Sequence, residues 1–63
     1  MTNLLKEIRE KKGMSVSELA RKSGLSRQTI YNIEATSDRV VDSKTMEALA
    51  EALDVKVSKI FLM

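Results

Sequence analysis

Arg27, Gln28, Tyr31 and Asn32 are the residues whose types and spacing suit a specific hydrogen-bonding task. A glutamine or asparagine amide sets a donor beside an acceptor and matches the adenine edge in the major groove of duplex DNA, as an arginine fork matches guanine. That use requires the side chains to sit on one exposed helix face, near its N-terminal end. On a wheel of about 100° per residue, Ile30 and Ile33 define the inward direction. Gln28 then points almost directly away, Tyr31, Asn32 and Ala35 share the outer half, and Arg27 and Thr29 lie at the flanks.

The elements that must hold this face lie between Ser15 and Glu34. Apolar residues at Val16, Leu19 and Ala20, then at Leu25, Ile30 and Ile33, predict two short helices, each burying one face, with a tight turn at Gly24 between them. Ala20 is small where the two helices would cross, and Gly24 supplies a permissive backbone in the turn. A solvated polar face is the ordinary fate of such residues, but a purely decorative surface helix does not need this assembly before it.

Helix starts repeat one device. Met14-Ser15-x-x-Glu18-Leu19 reads as a capping box with a hydrophobic staple, Leu25-Ser26-x-x-Thr29-Ile30 repeats it with threonine, and Val41-Asp42-x-x-Thr45-Met46 repeats it again. Val55 and Ile60 have staple spacing for a last short helix. The starts are expected near Val16, Arg27, Ser43 and Val57. A first helix is expected from Thr2 or Asn3 to Lys12, with Leu4, Leu5 and Ile8 inward; Gly13 and Gly24 each follow a basic last turn, as glycines that stop helices do. Met46, Leu49, Ala50 and Leu53 mark the inner face of the fourth helix, and the polar Thr-Ser-Asp run after Ala35 predicts a turn. The expectation is all-α: five helices, no sheet and one domain over 1–63, with the helix-turn-helix at about 16–35.

At 63 residues the chain is small for a self-sufficient core. It has no cysteine and no histidine, which excludes disulfide staples, cysteine-ligated zinc and histidine general acid–base chemistry. Ser43 and Lys44 are adjacent, but neighbours on a helix do not face each other, so they do not suggest a catalytic pair. No enzyme activity, cofactor, metal or small-molecule ligand is expected. No apolar run approaches the ~20 residues of a membrane span, and the N-terminus is too polar for a signal peptide, which points to a cytoplasmic protein. The net charge of +2 permits nucleic-acid binding without arguing strongly for it.

The chain resembles the Cro/C1-type helix-turn-helix family, the compact five-helix, lambda-repressor-like domain of phage repressors and many small bacterial regulators. The likeness runs through Leu4-Lys-Glu-Ile-Arg-Glu-Lys-Lys-Gly-Met-Ser, Ser17-Glu-Leu-Ala, Gly24-Leu-Ser-Arg-Gln-Thr-Ile-Tyr-Asn-Ile-Glu34, and Met46 through Val55. It implies that Ser26, Arg27, Gln28, Thr29 and Asn32 meet base edges and nearby phosphates. It also implies a structural ion pair between Arg9 and Glu34, across the first and third helices.

The chain departs from the family pattern in places. Val16 stands where the family commonly has a glutamine that touches phosphate, leaving Ser15, Ser17 and backbone N–H groups as candidates. Ser23 replaces an apolar residue before Gly24, the turn after Glu34 lacks the common Asn-Gly, and Val41 replaces a common proline. Further phosphate candidates are Arg39 in that turn, and Ser43 and Lys44 at the start of the fourth helix, where Lys44 is equally well placed to be merely solvated. Tyr31 either contacts sugar and phosphate or covers its own helix.

The expected function is sequence-specific double-stranded DNA binding by a transcriptional regulator, a repressor, with residues 27–35 in the major groove of a pseudo-palindromic operator. One such module reads few base pairs, so a homodimer is expected. Ile60, Phe61, Leu62 and Met63 offer an apolar surface for it, or else close the monomer's own core. The rival function is a protein-interaction module, such as an antitoxin with secondary DNA binding. A disordered partner-binding tail would mark it, and the chain shows no such composition.

Overall fold

Side-chain caps set three of the helix starts. The computed structural model describes residues 2–35 and 41–62, the side chains of Thr2, Asn3 and Leu62 excepted. Among the described residues the helices are α1 (Leu5–Lys11), α2 (Val16–Ser23), α3 (Arg27–Ala35), α4 (Ser43–Leu53) and α5 (Val57–Ile60). The last four begin at the residues the capping pattern predicts. Ser15 Oγ accepts from the Glu18 N–H at 3.1 Å, Ser26 Oγ from the Thr29 N–H at 3.1 Å, and Asp42 Oδ1 from the Thr45 N–H at 3.0 Å. Each bond satisfies a donor that the first helical turn leaves orphaned. The box at Ser26 closes on itself, its hydroxyl lying 2.8 Å from that of Thr29. At Ser15 the Glu18 carboxylate instead approaches Lys22 Nζ, at 3.9 Å.

The helix ends are equally local. After α1, Gly13 has φ +68° and donates to the Glu10 carbonyl, while Met14 donates to that of Arg9. This is the paired bonding of a Schellman stop. Gly24, φ +76°, donates to the Ala20 carbonyl and turns the chain from α2 into α3. Asp54 holds the same left-handed conformation after α4, with φ 57°, a role that aspartate tolerates better than most residues.

One expectation fails at the N-terminus. Thr2 and Asn3 do not start α1; they form a strand, β1 (Thr2–Asn3), antiparallel to β2 (Phe61–Leu62), with Thr2 opposite Leu62 and Asn3 opposite Phe61. The Leu4 N–H continues the ladder, donating to the Ile60 carbonyl at 2.7 Å. Leu4, the residue ahead of the helix, makes no side-chain cap. The chain ends take these backbone groups before a helix can, so the all-α fold carries one short terminal pairing.

The core is formed by Leu5 of α1, Val16 and Leu19 of α2, Ile30 and Ile33 of α3, Leu49, Ala50 and Leu53 of α4, with Ile60 and Phe61 from the end of the chain. Met14 and Val41, the staple residues ahead of two caps, join it. α2 packs on both α3 and α4, and α1 packs on α3. Ile60 is fully buried and Phe61 is 6% exposed. Of the two uses open to the C-terminal segment, these two side chains take the core, which corrects their placement on a dimer surface: an isoleucine and a phenylalanine removed from water inside the monomer have no face left for a partner. Met63 lies outside the described residues, as do residues 36–40, where the sequence predicts a turn, and with them Arg39. No helix of the described residues is long and apolar enough to cross a membrane.

Candidate nucleic-acid interface

Ile30 and Ile33 are buried, and so turn the opposite side of α3 outward. Arg27, Gln28 and Tyr31 on that side are exposed, while Thr29 and Asn32 are half-buried. Tyr31, 54% exposed, is the large apolar side chain most open to solvent among the described residues. An aromatic ring left in water beside three polar side chains is poor packing for a helix that serves only the core.

Two of these side chains bond each other. Gln28 Nε2 donates to Asn32 Oδ1 at 3.0 Å, one turn along the helix. Arg27 reaches back to α2, its Nη1 lying 3.4 Å from Ser17 Oγ. The contact is long and exposed, hence weak, but it lies across the turn where a brace from position 16 is missing. Val16 is buried. Ser17, Arg21, Gly24, Ser26 and Arg27 line an open groove of about 670 Å³ over the turn.

The orientation of α3 is secured from behind by Arg9 of α1. Arg9 Nε donates to Glu34 Oε2 at 2.7 Å and Nη2 to Oε1 at 3.3 Å, so the guanidinium meets the carboxylate with two arms. A third arm, Nη1, donates to the Met14 carbonyl at 2.8 Å, just ahead of the Ser15 cap. The side chains are only 11% and 7% exposed. The hydrogen bond that Arg9 donates to Glu34 holds the guanidinium above the ordinary arginine range, against the opposite pull of burial. One residue of α1 thus ties the end of α3 to the start of α2. Lys6, Tyr31 and Ala35 border the same pair in a groove of about 370 Å³.

Ser15 is exposed and committed as a cap; Ser43 and Lys44 are exposed at the start of α4. Asp42 beside them caps α4, and the hydrogen bonds from Thr45 hold its carboxyl below the ordinary 3.8. Sequence reasoning missed the Met14 carbonyl, since a backbone acceptor leaves no residue-type signal. It also missed the bond between Gln28 and Asn32, although their spacing of four signals it.

Comparison with known proteins decides the family. The family model described as Helix-turn-helix matches residues 5–60. This chain belongs to the Cro/C1-type helix-turn-helix family. The family is one of DNA-binding transcriptional regulators. A Thermococcus kodakarensis protein that carries the name of an HTH-type transcriptional regulatory protein is 39% identical over 64 residues. The match covers 90% of this chain and 20% of that protein, so the chain spans a fifth of its relative's length. The crystal structure of the restriction-modification controller protein C.AhdI from Aeromonas hydrophila is similar, with a TM-score of 0.79 at 36% identity. That match covers 87% of this chain and 82% of the controller protein. α2, α3 and the turn at Gly24 between them lie within the matched residues.

Proposed function

We propose that this protein is a sequence-specific double-stranded DNA-binding regulator that acts as a repressor from a single domain over 1–63, without a cofactor. α3 enters the major groove, and Arg27, Gln28, Thr29 and Asn32 meet base edges there. Ser15, Ser17, Ser26, Tyr31, Arg39, Ser43 and Lys44 serve the phosphate backbone, which supplies most of the affinity and the salt dependence. One observation carries this reading: a helix clamped from behind by Arg9 and Glu34 turns an arginine, a glutamine and a tyrosine into solvent. The likeness to a controller protein supports a regulatory role. Repression requires only that the operator be occupied, and a single reading face suffices for that.

One module spans few base pairs, so two copies are proposed to bind half-sites about one helical turn apart on a pseudo-palindrome. Leu62 and Met63 are what remains of the apolar segment proposed for the dimer. Selection of bound sites from a random duplex library tests both parts. Recovery of a symmetric consensus supports a specific dimer; recovery of an unchanged random pool removes the function.

A further inference from the structure

We propose that Gln28 and Asn32 read neighbouring base pairs as one hydrogen-bonded unit, with adenine at Gln28 and guanine or thymine at Asn32. This rests on the DNA-reading function proposed above and assigns its base preference.

The argument starts from the bond between the two side chains, Gln28 Nε2 to Asn32 Oδ1, at 3.0 Å on the outer side of α3. Each amide owns two N–H donors and one carbonyl acceptor. The bond uses one N–H of Gln28. It leaves Oε1 with the other N–H beside it, an acceptor–donor edge that matches the N6 amino group and N7 of adenine. Asn32 is left in the opposite condition. Its carbonyl is turned toward Gln28, so what it offers to a base is the Nδ2 amino group, a donor alone. Donors suit the edges that carry acceptors, N7 and O6 of guanine or O4 of thymine, and oppose the N4 amino group of cytosine.

Residues four apart are separated by about 6 Å along a helix axis, and base pairs by about 3.4 Å, so the two amides fall within two base steps of each other. A lone glutamine can rotate its amide to present either order of donor and acceptor. Here the partner sets that order before DNA arrives. Asn32 is therefore a positioning residue for Gln28 as well as a reader in its own right.

The test uses the full chain and its selected site, with every base pair placed in turn at the two positions. Replacement of the adenine lowers the affinity of the unaltered chain roughly 5- to 150-fold. Asn32→Ala weakens discrimination at both positions, and Gln28→Ala/Asn32→Ala together lose less than the product of the single losses. Asn32→Asp keeps an oxygen for Gln28 to bond but has no N–H. It retains the adenine preference and moves the second position toward cytosine or adenine. Undiminished adenine discrimination in Asn32→Ala, or losses that multiply, overturns the coupled unit while leaving specific DNA binding intact. Absence of any preferred duplex overturns the unit and the proposed function together.

Discussion

Arg9 and Glu34 stand 25 residues apart in the chain, yet their side chains meet through two hydrogen bonds, with Nε 2.7 Å from Oε2. Because Arg9 also holds the Met14 carbonyl, the pair fixes α3 relative to the start of α2. Breaking a buried pair leaves one charge uncompensated and costs about 3–5 kcal/mol. A domain this small has about that much stability in total. Glu34→Ala is expected to lose about 3 kcal/mol, and to lower the melting temperature before it changes which duplex is preferred. Thermal unfolding followed by circular dichroism checks it; an unchanged melting temperature refutes the clamp.

The contact from Arg27 to Ser17 is weaker, and its consequence lies in binding rather than folding. Arg27→Ala is expected to cost about 1–3 kcal/mol on the preferred site and to relax one base position. Ser17→Ala should move binding in the same direction by less, since Arg27 keeps its guanidinium while its orientation and one hydroxyl contact to phosphate are lost. Anisotropy titrations on base-substituted duplexes separate these outcomes. An equal loss on every sequence would assign Arg27 to phosphate.

Gly24 sits at φ +76°, and a Cβ added there meets nothing within 4 Å. Its replacement therefore costs backbone conformation, not space. Gly24→Ala is expected to lose about 1–2 kcal/mol while the folded protein keeps its site preference. Chemical denaturation measures the first and a binding titration below the unfolding transition the second.

Acid should loosen α4. The Asp42 carboxyl, bonded by Thr45, titrates below its unfolded value near 3.8, so its contribution is complete above that value. It is lost as pH falls through the lower folded value. Melting curves between pH 7 and pH 2 should show a smaller loss for Asp42→Asn than for the unaltered chain, because asparagine caps without titrating.

The end of the chain provides another test. Ile60 is fully buried in the monomer, and Ile60→Ala is expected to cost about 2–5 kcal/mol. The drop in melting temperature should not depend on protein concentration. A drop that vanishes at high concentration would return Ile60 to a dimer surface.

What the sequence disclosed depended on how local each feature is. Ser15, Ser26 and Asp42 act on N–H groups three residues ahead, so four letters encode each helix start. Gly13 and Gly24 announce the stops for the same reason. The pairing of Thr2 and Asn3 with Leu62 and Phe61 is written nowhere locally. It joins the two ends of the chain and displaces the expected start of α1. Of the interface, the outward direction of Gln28 was legible from Ile30 and Ile33, whereas the bond of Arg27 to Ser17 depends on how α2 crosses α3. The apolar residues at the end of the chain announced that they must be buried, but not where.

The central claim is that the outer side of α3 reads base sequence in duplex DNA. Equilibrium binding of the full chain to its selected duplex, beside a shuffled duplex of the same composition at about 0.15 M salt, tests this most directly. The selected duplex should bind at least about tenfold tighter, a difference of about 1.4 kcal/mol. Equal affinities at that salt, or no binding to either duplex even at low salt, would contradict it.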